Sequence, residues 1–359
     1  MEKKKNYLLG LILPLLVNLS NCFGVIVGET PITVIRAEND SKLDRPESVA
    51  FTPSGDCLAV ANSLANSVTF YKRVGGEGYV YETKPSYTIE GLQSQLDYPH
   101  DLSFSPDGKH LAVANRVGNS ITIYKRDLSL NRYESHPIAS IQGSRSQISF
   151  PDAVRFSPVE NVIAVANMYS HTITLYHFQG DHYDRRPFQV LTHRILQIPD
   201  GLDFSKDGQL LAVTSHDSHS VVLYQRKEGS QGFYVNTPIQ ALQGPQTLFC
   251  FPHSVAFHPV KNDLTVSCSQ GRKNVHFFST TESGLYATAP ELSLEILEMY
   301  DESTIHLLDQ LHQEGGVKGI AFTPDGKGLA ITQNLCQDSL RLPFPVGVLA
   351  IYPVSVEAH

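Results

Sequence analysis

Apolar and polar residues alternate in short runs along most of the chain, and the runs are broken by clusters of Ser, Pro, Asp, Gly and Asn. Val49, Ala50 and Phe51 form one such run, and Leu102, Ser103 and Phe104 another. A period of two is the mark of a β-strand with unlike faces. Ser105, Pro106, Asp107 and Gly108 then supply the residues that a tight hairpin needs. A second run, Leu111 to Ala114, places small alanines at alternate positions, where a neighbouring sheet can approach closely. A loop ending in Asn119 and Ser120 leads to a third run, Ile121 to Tyr124.

This three-strand unit recurs six times. PESVAFTPSGDCLAVANSLANSVTFYKR starts at Pro46 and PHDLSFSPDGKHLAVANRVGNSITIYKR at Pro99. Related segments start at Pro151, Pro199, Pro252 and Val317. The aligned phenylalanines are Phe51, Phe104, Phe156, Phe204, Phe257 and Phe322, a spacing of roughly fifty residues with one longer interval at the end. A recurring Tyr-x-x-x-Pro (Tyr81/Pro85, Tyr133/Pro137, Tyr183/Pro187, Tyr234/Pro238, Tyr286/Pro290) precedes a fourth alternating run. The last unit ends before any fourth run, and Pro31 to Ile35 near the start of the chain supplies the missing one. The pattern predicts an all-β fold, a six-bladed β-propeller with four-stranded blades, whose N-terminal strand closes the last blade and hides the sheet edges. It is expected to span 25–359 as one unit.

Composition adds three constraints. The 359 residues carry 28 Lys+Arg against 36 Asp+Glu, a net charge of −8, which argues against a nucleic-acid partner. Lys3, Lys4 and Lys5 precede an apolar stretch from Leu8 to Leu19, so residues 1–24 read as a secretory signal. Leu19, Ser20, Asn21 and Cys22 resemble a lipoprotein cleavage box, which makes Cys22 a candidate for lipidation. The expected location is outside the cytoplasm, periplasmic or tethered to a membrane through Cys22 alone. The other four of the five cysteines (Cys57, Cys250, Cys268, Cys336) lack metal-site spacing and read as isolated thiols. There is no GxSxG elbow, phosphate-binding glycine loop or HExxH.

The residue after each leading proline opens the innermost strand and should ring the channel mouth. These residues are Glu47, His100, Asp152, Asp200, His253 and, after Val317, Lys318. All six are ionisable. Such a ring could bind a ligand through Asp152, Asp200 and Lys318, with His216 from an adjacent loop. It could hold a divalent metal through Asp152, Asp200 and His100, or perform acid–base work. Two loops on this face stand out. Glu295 to Gly316 has the pattern of a short helix that could form a lid, and the stretch from Gln333 to Pro345, with Arg341, is also long. His171 and His219 occupy the column held elsewhere by Asn66 and Asn119, which suggests turn capping.

The unit from Pro99 resembles a blade of the lactonase-like propellers, the group that includes 6-phosphogluconolactonase and carboxymuconate cyclase. It is equally similar to the YVTN-repeat proteins, a broad set of mostly exported bacterial propellers. The lactonase resemblance implies a seven-bladed ring and hydrolysis of a sugar lactone by channel His, Glu and Arg residues. By position, those roles would fall to His100 and His253 with Glu47 as partner. The YVTN resemblance implies a non-catalytic propeller that binds a protein, peptide, glycan or small molecule at its mouth. From the sequence, this exported binder is the first expectation and the lactonase-type hydrolase the alternative.

Overall fold

The computed structural model describes residues 25–37, 40–75, 78–271, 273–296, 316–334 and 347–356. The expected signal segment with Cys22, the segment 297–315 read as a lid, and 335–346 with Cys336 and Arg341 lie outside the described residues. Six antiparallel sheets follow one another along the chain. Blade 1 contains Pro46–Phe51, Cys57–Asn62, Ser67–Lys72 and Tyr87–Ile89, from the inside outward. The innermost strands of the next four blades are Pro99–Phe104, Pro151–Phe156, Pro199–Phe204 and Pro252–Phe257. Blade 6 takes Gly316–Phe322, Gly328–Asn334 and Val348–Val356. Its outer strand is Thr33–Arg36, with Thr33 opposite Ile351 and Arg36 opposite Val348. Val25–Val27 extends the same edge, Val25 facing Val356. The innermost strands adjoin in ring order, the sixth against the first. Six blades and closure by the N-terminal strand are therefore both present.

The core is divided among the seams. Each of six apolar clusters lies between two neighbouring blades. Leu102, Leu111, Val113 and Tyr124 of blade 2, for example, pack on Ala59, Ala61, Val68 and Phe70 of blade 1. Every such Leu or Val is fully buried, contributing about 1.5–3 kcal/mol. The alanines let the sheets approach, as the sequence implied.

Two polar features recur at the outside of the blades, though not in all of them. In the first hairpin of blade 2, the Asp107 carboxylate accepts from the Lys109 N–H (3.1 Å) and the Ser105 hydroxyl (2.7 Å), while Gly108 takes a left-handed φ of 67°. The tyrosine of Tyr-x-x-x-Pro then donates its hydroxyl to a carbonyl of the hairpin. Tyr81 reaches Gly55 (2.6 Å), Tyr133 reaches Gly108 (2.7 Å) and Tyr234 reaches Gly208 (2.8 Å). Blade 3 has no Asp-Gly in its hairpin, and the buried Tyr183 hydroxyl has no partner. Cys57, Cys250 and Cys268 are thiols outside any disulfide. No helix among the described residues is long and apolar enough to cross a membrane.

Candidate functional site

Each innermost strand has a β-bulge just after its leading residue. Pro46 faces Asn62 and Ser48 faces Ala61, so Glu47 has no opposite residue. The same shift frees His100 and Asp152, and in blades 4 to 6 the break is one residue longer. A bulge bends the strand and re-aims the extra side chain. In this protein it turns Glu47, His100, Asp152, Asp200 and His253 into a constriction of the central channel. All five are buried. The void between them is about 10 Å³, room for one water molecule or one ion. Lys318 is half-buried, and its charge acts on Glu47, His100, Asp152, Asp200 and His253. The six positions singled out in the sequence thus form one electrostatic unit.

The environments of its members differ. Glu47 Oε1 lies 3.1 Å from Arg45 Nε and accepts from the Ser63 hydroxyl (3.3 Å). Burial opposes its charge, yet Lys318, His100, Arg45 and Arg116 together bring the carboxyl down to about 2. Glu47 Oε2 accepts no hydrogen bond and lies 3.9 Å from His100 Nε2. His100 Nδ1 lies 3.0 Å from the carbonyl oxygen of Asp152. A carbonyl can only accept, so Nδ1 carries the hydrogen and a neutral His100 turns a bare Nε2 lone pair toward Glu47. Burial, then Arg116, lowers His100 to about 4, against the pull of Glu47. Burial and Lys318 hold His253 well below the usual histidine range. The two imidazoles stack with centroids 5.3 Å apart.

Asp152 and Asp200 lean the other way. Burial, then the Asp200 charge, holds Asp152 well above the ordinary carboxyl range, although Arg116 Nε lies 2.9 Å from its Oδ1. Burial lifts Asp200 to about 7, against Arg116 and Lys318. Asp200 Oδ1 lies 3.7 Å from His253 Nε2 and accepts no hydrogen bond. The ring thus pushes Glu47 toward its charged form and Asp152 and Asp200 toward their neutral forms, a separation of carboxyl environments that acid–base chemistry uses. The described residues that could surround a single ion are Glu47, His100 and His253. Asp152 and Asp200, expected alongside His100, fall outside that group.

Above the constriction the mouth is aromatic. The residues before the leading prolines, Arg45, Tyr98, Phe150, Ile198 and Phe251, all have left-handed φ between 53° and 57°. Such values are costly for side chains of this size and gather at functional clefts. Phe150 stacks on exposed Tyr169 (4.2 Å) with the Arg116 guanidinium 5.2 Å from its ring. Phe251 sits between His216 (4.7 Å) and His219 (4.5 Å). His216 itself is tied to Asp217 through Nδ1 at 2.8 Å. His171 and His219 accept the backbone N–H of Ile198 (2.9 Å) and Phe251 (3.1 Å), while Asn66 and Asn119 do the same for Tyr98 and Phe150 (both 2.6 Å). This is the capping role that their shared column suggested.

Sequence reasoning missed Arg45, Arg116 and the aromatic rim. No arginine opens an inner strand, but these two reach the ring from positions beside it. The signal was variation within the repeat. The residue after the second strand is Ser63, Arg116, Met168, His216 and Ser269 in successive units, so of these five blades only the second carries an arginine there.

A family model described as "Lactonase, 7-bladed beta-propeller" matches residues 49–189. No curated protein matches the chain. Among solved structures, a putative 6-phosphogluconolactonase from Bacteroides uniformis is similar at 14% identity and a TM-score of 0.58, over 84% of this chain and 83% of that one. The periplasmic gluconolactonase of Pseudomonas aeruginosa is similar at 17% identity and 0.58, over 87% and 89%. The hydrazine synthase of Kuenenia stuttgartiensis is similar at 17% and 0.54, over 83% and 78%. The chain is a β-propeller, and its residues 49–189 match the lactonase family model. Its ring has six blades where the family is described with seven.

Proposed function

We propose that the protein is a lactonase-type hydrolase that opens a small sugar lactone at the mouth of its channel. The observation that carries this reading is the pairing of Glu47 with the anchored His100, across the void from Asp152 and Asp200, whose carboxyls burial raises above the ordinary range. The family match over 49–189 and the two gluconolactonase-type structures support it and favour it over a non-catalytic binder. A lactone is too large for a void of about 10 Å³, so it sits above the constriction against Phe150, Tyr169 and Phe251. The water below it, held by Glu47, His100 and His253, adds to the carbonyl carbon. Arg116 and Lys318 face the oxyanion that forms. His100 Nε2, beside Glu47, takes the proton that the water loses, and the Asp152/Asp200 side delivers one to the ring oxygen as the acyl–oxygen bond breaks. Water and lactone are consumed and a hydroxy acid is formed. Action outside the cytoplasm is part of the proposal. It is supported by the basic-then-apolar start of the chain and by the periplasmic relative.

The test is lactone opening by the purified protein, with glucono-δ-lactone and its 6-phosphate as probes, measured against spontaneous hydrolysis. The expected result is saturable catalysis that falls about 100-fold or more in His100→Ala. Opening at the spontaneous rate with both probes overturns the reading. The exposed aromatic rim would then direct attention to a glycan or protein partner bound there.

A further inference from the structure

We propose that Glu47, His100 and His253 form a binding site for one divalent first-row transition-metal ion in the throat of the channel. Each residue offers one donor atom, the three atoms lie within 4.8 Å of one another, and all three side chains are buried. Donors around a tetrahedral zinc-sized ion are separated by about 3.4 Å, so side-chain shifts of about an ångström close the set. The void of about 10 Å³ suits an ion and excludes most organic ligands.

Two outer contacts point the same way. Arg45 and Ser63 occupy Glu47 Oε1, which fixes the carboxylate and leaves Oε2 without a partner, 3.9 Å from His100 Nε2. The Asp152 carbonyl fixes the proton of His100 on Nδ1. Metal-binding histidines are typically held this way, with the non-ligating N–H on a carbonyl or carboxylate. The buried Glu47 Oε2 and Asp200 Oδ1 accept no hydrogen bond. Two imidazoles and one carboxylate suit zinc, cobalt or iron(II), whereas calcium and magnesium take oxygen ligands. A fourth position would hold a water molecule. Only the assignment of that water as nucleophile rests on the hydrolase reading; the binding site does not.

The test uses the full chain, stripped with a chelator and titrated with cobalt(II). The expected result is saturable uptake of one ion per chain, with visible absorption bands of a four- or five-coordinate site and a raised melting temperature. Calcium should not compete. Glu47→Gln and His253→Ala should each weaken uptake tenfold or more while keeping a cooperative melt. His136→Ala, at an exposed histidine beside Glu134, should leave it unchanged. The absence of one-to-one uptake, or equal uptake by Glu47→Gln, overturns the proposal. Lactone opening that persists without metal overturns only the assignment of the ion's water as nucleophile and leaves the hydrolase standing. A bound ion with no lactone opening counts against the hydrolase alone.

Discussion

The two halves of the ring build their channel walls differently. In blades 1 to 3 the residue after the ring side chain pairs directly with an alanine: Ser48 with Ala61, Asp101 with Ala114, and Ala153 with Ala166. In blades 4 to 6 that column holds Thr214, Ser267 and Thr332, and the ladder skips a further residue. The hydroxyls fill the gap by accepting from the N–H of Gly201 (2.6 Å), Ser254 (3.0 Å) and Gly319 (2.8 Å). Thr214 and Ser267 also donate to the carbonyl of the next blade's ring residue, His253 (3.0 Å) and Lys318 (2.7 Å). In the first half His100 performs that second task with its own ring, on the Asp152 carbonyl. A choice of alanine or hydroxyl in the second strand thus decides whether the ladder or a side chain positions the channel wall. Where an imidazole takes over the tie, its other nitrogen is fixed in direction.

The comparison can be broken hardest at Gly201. A Cβ there would meet the His253 carbonyl oxygen at 2.5 Å and the Ser254 Cα at 2.7 Å, both backbone atoms that cannot swing away. Gly201→Ala should cost about 3 kcal/mol in denaturant unfolding. Ala153, its counterpart in blade 3, already carries a Cβ, and Ala153→Gly should cost only about 1 kcal/mol. Equal losses would mean that the halves do not differ in the way described. A smaller effect is expected at Thr214. Thr214→Val keeps the shape and strands the buried Gly201 N–H, for about 2 kcal/mol of stability. The smallest test compares the blades at their outer rim. Tyr133→Phe removes a satisfied hydroxyl and should cost about 1 kcal/mol, while Tyr183→Phe removes an orphan and should be close to neutral. A loss at Tyr183 as large as at Tyr133 would show that the hairpin contact is not what the hydroxyl contributes.

The fold was legible because it is written redundantly. Phe51, the alanines of the second strand and Tyr-x-x-x-Pro recur often enough that blade number, strand order and closure by Pro31 to Ile35 follow from counting. The ring was legible for the same reason, since Glu47, His100, Asp152, Asp200, His253 and Lys318 share one column. Its internal arrangement was not. Bulge length differs between the two halves of the ring with Thr214, Ser267 and Thr332, whose alanine counterparts looked like ordinary variation within a strand, and which three donors converge is not written in the column. Arg45 and Arg116 escaped because they stand outside the column and enter the ring through the length of their side chains. The exported binder expected first has less support than its alternative because the sequence gives a mouth, while the chemistry lies in the tautomer and ionisation of residues within it.

The pairing of Thr33–Arg36 with Val348–Val356 has a consequence for biosynthesis. A ribosome makes Thr33–Arg36 more than three hundred residues before its partner at Val348. Until then Thr33–Arg36 has nothing to join, and the flank of blade 1 that packs on Ala330, Leu349 and Ile351 stays bare. Assembly of the closing blade therefore waits until Val348–Val356 has been made, and its rate is set by the search between two segments far apart in sequence. A chaperone that shields the early strand, or a route that delivers the chain unfolded to its destination, would protect it during that interval.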